Sequence, residues 1–172
     1  MNKEKKIILI ILSVLLLLIV LFTLINMGSI TNIGDEKIDG AILFKYKEKG
    51  YIINFEQIEK LKSEKFDAVI NTSTRKNKKV EYTAVKLTDI LISIGIDYKE
   101  VDKAIVRAED AYTSSVSVDD ISKNDNVYIA YKMNDKYLKS REKGGEGPFQ
   151  LIIRSDSFSQ RWVKYVTEVE LK

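Results

Sequence analysis

Residues 82–91 read Tyr-Thr-Ala-Val-Lys-Leu-Thr-Asp-Ile-Leu, and the hydrophobic pattern changes in the middle of this stretch. The first half, with its β-branched and aromatic side chains, predicts a strand. The second half begins a run in which apolar residues recur three and four positions apart, as on one face of a helix. We expect Thr88 or Asp89 to cap this helix and Gly95 to end it. The sequence therefore predicts a strand that leads directly into a short helix.

Segments of both patterns flank this stretch on either side. Apolar or alternating runs that are bounded by turn residues predict strands, and one further run with apolar residues three apart predicts a second short helix. The predicted strands are residues 41–46, 51–55, 66–71, 80–85, 104–108, 113–118, 127–131, 150–153 and 162–171, and the predicted helices are residues 55–61 and 87–94. Many strands with few short helices indicate an α+β domain.

Two residue types are missing, and their absence excludes several kinds of chemistry. The 172 residues contain neither cysteine nor histidine. Without cysteine the chain forms no disulfide, binds no metal through thiolates and has no thiol nucleophile. Without histidine it has no Ser-His-Asp triad and no histidine base. Catalysis would need carboxylates, amines, hydroxyls or a cofactor that brings its own reactive group.

The net charge is small and concentrated at the N-terminus. The formal charge is +3, and residues 1–26 supply +2 of it through three lysines and one glutamate. The rest of the chain therefore lacks the basic excess that is typical of nucleic-acid binding, and we predict no nucleic-acid partner.

The N-terminal segment has the length and apolarity of a membrane span. Residues 7–25 carry no charge, and as a helix they would be about 28 Å long, close to the hydrocarbon thickness of a bilayer. Three lysines precede this segment, and the first charges after it are Asp35 and Glu36. The positive-inside rule then places the first residues in the cytoplasm. We predict one transmembrane helix that anchors the protein in the cell membrane by a single pass, with the C-terminal domain extracytoplasmic.

A cleaved signal peptide is the alternative interpretation of this segment. The apolar run is longer than the core of a typical signal peptide, and Asn26-Met27-Gly28-Ser29 makes a poor cleavage site. A retained signal anchor is therefore favoured. The predicted organisation is a cytoplasmic tail at 1–6, the anchor at 7–25, a polar linker at 26–39 and a single domain at 40–172.

Six short motifs follow one another through the second half of the chain. They are Tyr82–Leu91, Ala108–Tyr112, Ser115–Asp120, Val127–Leu138, Gly144–Ile153 and Gln160–Val166. In this order they resemble the oxidoreductase molybdopterin-binding domain of sulfite-oxidase-like proteins, over about residues 50–172. The resemblance implies a compact α+β fold with a mixed β-sheet and short helices, a molybdenum–pterin cofactor, and export from the cytoplasm.

The sequence departs from the family at the position of the metal ligand. In the family, a cysteine thiolate on the loop after the strand that corresponds to residues 66–70 binds the metal. The matching positions here are Asn71, Thr72 and Ser73. Amides and hydroxyls are poor ligands for a soft metal centre, so the usual oxotransferase chemistry is not expected. Ala84 and Ala111 also stand where the family has glycines that allow a close approach of backbone to ligand.

The resemblance also supplies candidate ligand-binding residues. Arg161 and Lys164 match positions at which the family contacts the pterin phosphate or nearby polar groups, and these side chains suit an anion. Asp110 and Tyr112 belong to a loop that would line the pocket, as would Asn71 and Thr72. The alternative is that the two basic residues lie on a solvated strand and bind nothing specific. No residue is assigned a catalytic role or a metal-ligand role.

Three hypotheses about function follow from these residues. The first is a binding module of the molybdopterin-oxidoreductase type, without molybdenum catalysis, that binds a pterin-like or other small anionic ligand or a partner protein. The second is a divergent molybdopterin-dependent oxidoreductase that exchanges electrons with a membrane redox partner. The third is a surface domain without a small ligand. Fold alone does not decide among them.

Overall fold

A computed structural model describes residues 4–6, 11–18, 20–21, 40–71 and 78–172 of the chain. The chain separates into two compact units, Met1–Lys37 and Ile38–Lys172. In the first unit, the described residues are helical and exposed. Among the residues described, no helix combines the length and the apolarity needed to span a membrane. Parts of the predicted anchor, residues 7–10, 19 and 22–25, lie outside the described residues.

In residues 40–71 and 78–172 the chain forms ten strands, three short α-helices and three single-turn 3₁₀ helices. The strands are β1 (Ala41–Tyr46), β2 (Lys49–Asn54), β3 (Ser63–Ile70), β4 (Lys78–Lys86), β5 (Lys103–Ala108), β6 (Thr113–Ser117), β7 (Val127–Met133), β8 (Lys136–Tyr137), β9 (Gln150–Ile153) and β10 (Val166–Leu171). The α-helices are α1 (Phe55–Glu59), α2 (Leu87–Ser93) and α3 (Val118–Ser122), and the 3₁₀ helices are Tyr98–Glu100, Arg141–Lys143 and Ser159–Arg161.

Sheet 1 joins the first and last strands of the domain. Its order is β2-β1-β10-β5-β6, with β1 and β10 parallel and the other neighbours antiparallel. The predicted mixed β-sheet is therefore confirmed. Along β1 and β2, buried Ile42, Phe44 and Ile53 alternate with more exposed residues, as expected of strands with one face on a core.

Sheet 2 is antiparallel throughout and was not predicted as a separate sheet. Its order is β3-β4-β7-β8, and β9 pairs with β7. Local sequence period shows that a strand exists but not which strand it pairs with, so a second sheet is invisible at that level. β7 and β9 are buried on both faces and read as continuous apolar runs for that reason.

Aromatic and aliphatic side chains from both sheets form one apolar core. Phe44, Tyr82, Tyr128 and Phe149 are its largest fully buried members. Burial of a large apolar side chain contributes about 1.5–3 kcal/mol each, so these residues are a main source of stability. The core fixes the end of β4 and the start of β9, and both carry residues of the candidate site.

The start of α2 differs from the prediction. The N-cap is Lys86, which is extended and makes no side-chain cap, while Thr88 and Asp89 lie inside the first turn. The predicted caps are therefore wrong, because β4 runs into the helix without an intervening loop. The predicted end is confirmed, since Gly95 follows the helix with a φ of +73°.

The start of β10 is also a correction. The alternation over residues 162–171 predicted one strand, but β10 begins only at Val166. Tyr165 has a φ of +55°, which breaks an extended conformation. The indole of Trp162 is buried and donates from Nε1 to the carbonyl of Ile153 at 3.0 Å. The other predicted elements are present, with ends within three residues of those predicted, while β8 was not predicted.

Candidate functional site

The segment between β9 and β10 carries most of the candidate site. Buried Trp162 fixes it from one side, and Val163 forms an antiparallel bridge with Leu151, with N–O distances of 2.7 and 3.2 Å. The 3₁₀ helix Ser159–Arg161 lies just before this anchor. The sequence therefore places an exposed turn on a rigid base, which is a common arrangement for binding residues.

The end of β3 packs against this segment. The Asn71 backbone N–H donates to the Ser159 hydroxyl at 3.0 Å, and the Ser159 N–H donates to the Asn71 carbonyl at 3.0 Å. The Asn71 side-chain amide donates to the Ser157 carbonyl at 3.3 Å. Asn71 is thus held in place by its own chain. Thr72, the next predicted site residue, lies outside the described residues.

The turn between β5 and β6 contacts the same segment. The Tyr112 N–H donates to the Asp110 carboxylate at 3.1 Å, and the Tyr112 hydroxyl donates to the Gln160 carbonyl. Ala111 has a φ of +68°, the left-handed conformation that favours glycine. The family is expected to have a glycine at this position. Here alanine replaces it, although the backbone keeps the left-handed conformation that glycine adopts most easily.

Arg161 is bound by carboxylates of its own chain. Its Nε and Nη2 donate to the two oxygens of Asp156, with Nε at 3.0 Å, and its Nη1 donates to Asp120 at 2.7 Å. The hydrogen bonds that Arg161 donates to Asp156 and then to Asp120 raise the pKa of Arg161, and the Arg161 guanidinium lowers the pKa of Asp120 below its usual value. The guanidinium N–H groups that could bind a phosphate are therefore already hydrogen-bonded to the carboxylates of Asp156 and Asp120.

Lys164 is paired in the same way, at the other end of the segment. Its ammonium lies 2.6 Å from the Glu146 carboxylate. The loop that carries Glu146 is tied down by Tyr165, whose hydroxyl donates to the Gly145 carbonyl at 3.0 Å. Both predicted anion-binding residues are therefore neutralised locally, and a ligand anion must compete with an internal carboxylate for each of them.

Two buried polar residues near this loop were missed by sequence reasoning. Tyr82 is fully buried and Gln150 is 2% exposed, and neither the Tyr82 hydroxyl nor Gln150 Oε1 has a hydrogen-bond partner among the described residues. Burial raises the pKa of Tyr82, and the charge of Glu146 adds to the effect. Tyr82 is therefore neutral at physiological pH. Both residues stand within motifs read for the resemblance, and no sequence signal marks them as polar groups facing the interior.

Exposed aromatic side chains also belong to this region. Phe158 is 57% exposed and Tyr112 is 46% exposed. Phe158 lies in the segment between β9 and β10, directly before Ser159, and the Tyr112 hydroxyl donates to the Gln160 carbonyl of the same segment. The structure thus brings together Asn71, Asp110, Tyr112 and Arg161 of the predicted set around one segment, with Lys164 beyond the Trp162 anchor.

Comparison with known proteins identifies the family of this chain. The family described as oxidoreductase molybdopterin binding domain matches residues 46–172, and the chain belongs to this family. The expected resemblance is therefore confirmed. No curated protein matches the chain.

A solved structure with the same fold is that of the sulfane dehydrogenase SoxCD from Paracoccus pantotrophus. The TM-score is 0.63 at 16% sequence identity, and the match covers 81% of this chain. It covers 39% of that protein's chain, so the present chain corresponds to well under half of it. At this identity the likeness shows the fold.

The donor atoms of this chain do not suit a thiolate-bound molybdenum centre. No cysteine exists in the 172 residues, and the amide of Asn71, at the start of the matching loop, is bonded to Ser157. Among the residues described, no three acidic side chains converge as a metal site would need. The resemblance implies that a cysteine sulfur binds molybdenum in this family, and amide and hydroxyl oxygens are poor replacements for such a soft donor.

Proposed function

We propose that this chain is a membrane-anchored, extracytoplasmic member of the family that acts as a binding module without molybdenum catalysis. The observation that carries the proposal is the missing thiolate, since the family fold is kept in a chain that contains no cysteine. Anchoring through residues 7–25 is part of the proposal, supported by the uncharged apolar sequence of that segment.

The region around Ser159–Arg161 is the proposed binding site. Exposed Phe158 and Tyr112 offer flat faces on which a planar heterocycle such as a pterin can stack. Arg161 and Lys164 attract an anionic group, but each is already paired with a carboxylate. A small anionic ligand therefore gains only the difference between its own interaction and that of the displaced carboxylate. We expect weak binding that falls further as salt is added.

Ligand-induced stabilisation of the full chain in detergent tests this proposal. The probes are a pterin phosphate, guanosine monophosphate and inorganic phosphate. At a ligand concentration ten times the Kd, linkage stabilises the protein by about 1.4 kcal/mol, which raises Tm by a few degrees. We expect such a shift with the pterin phosphate, and a smaller one or none with phosphate alone.

Two variants and a control make the test specific. Arg161→Gln and Tyr112→Ala are expected to reduce the shift, because each removes a group of the proposed site. Lys136→Gln removes an exposed lysine on β8, which contributes nothing to the site, and is expected to leave the shift unchanged. If no probe stabilises the protein, or if all three variants respond alike, the small-ligand proposal is wrong and a partner protein becomes the better candidate.

Family membership favours one alternative, a divergent molybdopterin-dependent oxidoreductase that works with a membrane redox partner. This alternative requires the metal to be held by a ligand other than cysteine. It differs from the main proposal in a single measurable quantity, the molybdenum content of the purified chain.

A further inference from the structure

The first and last strands of the domain are neighbours and run parallel. β1 pairs with β10 over four residue pairs, from Leu43 opposite Glu168 to Tyr46 opposite Leu171. Because the two strands are parallel, the chain enters β1 at one end of this ladder and leaves β10 at the other end. Tension between residues 40 and 172 therefore pulls the two strands past each other along their length.

Both strands lie in the interior of sheet 1. The order β2-β1-β10-β5-β6 gives each of them a hydrogen-bonded neighbour on either side. The hydrogen bonds of a ladder run between the strands, so sliding one strand along the other strains all of these bonds together. Neither strand can leave the sheet without losing the ladders on both of its sides.

Charged side chains link the same strands. Lys45 on β1 lies 2.6 Å from the carboxylate of Glu168 on β10. Arg107 on β5 contacts both Glu168 and Glu170, and the Glu170 contact is 2.7 Å long. A single exposed ion pair contributes little, but these charges form one network across three adjacent strands. The network crosses the ladder that tension would shear.

Backbone hydrogen bonds also hold the chain at the two points where tension enters the domain. Directly before β1, the Gly40 carbonyl accepts from the Phe55 N–H at 2.9 Å. After β10, the Lys172 N–H donates to the Lys103 carbonyl at 2.9 Å, and the Lys103 N–H donates to the Lys172 carbonyl at 3.0 Å. The sheet therefore holds the chain up to both of these points.

We propose that this domain is a load-bearing element, in which the β1–β10 ladder resists tension applied between the N-terminal and C-terminal ends of the domain. This mechanical function is independent of the proposed ligand binding. A force along the ladder must break its hydrogen bonds nearly together, whereas a force across the ladder opens one pair at a time. Resistance then depends on the direction of pulling, because forced unfolding is governed by the rate of unfolding and not by equilibrium stability.

Single-molecule force spectroscopy of the full chain in detergent tests this proposal. The chain contains no cysteine, so handles attach only at cysteines that are introduced. Asp39→Cys with Lys172→Cys applies tension along the ladder. Glu48→Cys with Lys172→Cys applies tension across it, because the turn after β1 lies beside the end of β10.

The two handle positions give different expected forces. At one loading rate, we expect the unfolding force along the ladder to be at least about threefold higher than the force across it, since four residue pairs share the load in the first case. Both proteins carry Lys172→Cys and the same ladder. The comparison therefore isolates the direction of pulling.

A matched pair of core variants supplies the second arm. Val169 is fully buried in β10, and Val80 is 2% exposed in β4, a strand of sheet 2 that pairs with β3 and β7. Substitution by alanine removes the same atoms at each position. We expect Val169→Ala to lower the unfolding force along the ladder and Val80→Ala to leave it nearly unchanged, because contacts still intact in the transition state do not affect the unfolding rate.

Two results would overturn the proposal. The first is an equal unfolding force for the two handle positions, which would show that the ladder is not the barrier to extension. The second is an equal loss of force in Val169→Ala and Val80→Ala, which would show that resistance follows overall stability. The comparison of handle positions remains decisive even if Val169→Ala fails to fold.

Discussion

At the scale of single residues, Arg161 shows how far sequence reasoning reaches. Its charge and its place in the closing motif predict an anion-binding role, and the structure does bind it to anions, but to those of its own chain. Asp156 lies five residues away, whereas Asp120 lies 41 residues away. The distant partner depends on tertiary structure, so the neutralised state of Arg161 could not be read from the sequence.

The Asp120–Arg161 pair gives a pH prediction. The Arg161 guanidinium holds the pKa of Asp120 below its ordinary value of 3.8. The pair therefore stabilises the fold fully above that pH, and this contribution is lost as the pH falls through the depressed pKa. In Arg161→Gln we expect the pKa of Asp120, measured by carboxyl NMR titration, to return toward 3.8. We also expect a loss of about 1 kcal/mol near neutral pH, kept small because the guanidinium is partly solvated.

An unchanged Asp120 titration in Arg161→Gln would contradict the assignment of this pair. Lys123→Gln serves as the control, since Lys123 is exposed and directly follows α3. It changes the local charge without removing the hydrogen bond from Arg161 to Asp120.

Ala111 gives a second prediction at this scale. It adopts a φ of +68°, which is strained for a residue with a Cβ atom. Ala111→Gly is expected to stabilise the domain by about 0.5–1 kcal/mol, measured by urea denaturation, because strain relief exceeds the added chain entropy. Ala84→Gly is the contrasting variant. Ala84 is fully buried in β4, so removing its methyl group is expected to destabilise the domain. Destabilisation by Ala111→Gly would show that the turn is not strained.

At the scale of elements, the loop between the 3₁₀ helix Arg141–Lys143 and β9 is more constrained than its composition indicates. Its glycines predict a flexible connection, but a Cβ on Gly145 would lie 2.1 Å from the Lys139 carbonyl oxygen. One on Gly147 would lie 2.4 Å from Leu138 Cβ. These glycines serve close packing, which is a property of the fold and not of the local sequence.

The loop glycines therefore differ in what they tolerate. Gly145→Ala is expected to destabilise the domain by more than about 2 kcal/mol, because the methyl group collides with backbone that cannot move freely. Gly144→Asn is expected to cost less than about 1 kcal/mol, since Gly144 has a φ of +70° with open space around it, and asparagine accepts that conformation. Chemical denaturation of both variants measures the difference. Equal losses would show that the loop is loosely packed.

The accuracy of the predicted strands and helices depends on how their side chains are buried. β1 and α2 follow their hydrophobic period, because each buries one face, whereas β9 was predicted from a continuous apolar run that is buried on both faces. Residues 162–165 follow the alternation too but are not a strand, since the left-handed Tyr165 and the buried Trp162 break the extended conformation. The hydrophobic period of a sequence indicates which side chains are buried. Side chains such as Trp162 can be buried without belonging to a strand.

At the scale of the whole molecule, the chain has the fold of the family but lacks the cysteine on which the chemistry of the family is expected to depend. The order of motifs was sufficient to identify the family, and the match over residues 46–172 confirms it. The polar pair Tyr82 and Gln150, the neutralised cations and the second sheet all depend on contacts between distant residues. The absence of cysteine, by contrast, is visible in the sequence and bears most directly on activity.

The molybdenum content of the full chain, purified from a host that makes the molybdopterin cofactor, tests the central claim most directly. Elemental mass spectrometry gives moles of metal per mole of protein, and a family member that retains its cysteine, expressed in the same host, is the positive control. We predict a value far below one for this chain, because it offers the metal no soft sulfur donor. A value near one, matching the control, would contradict the account and make the chain a molybdenum enzyme with an unusual ligand.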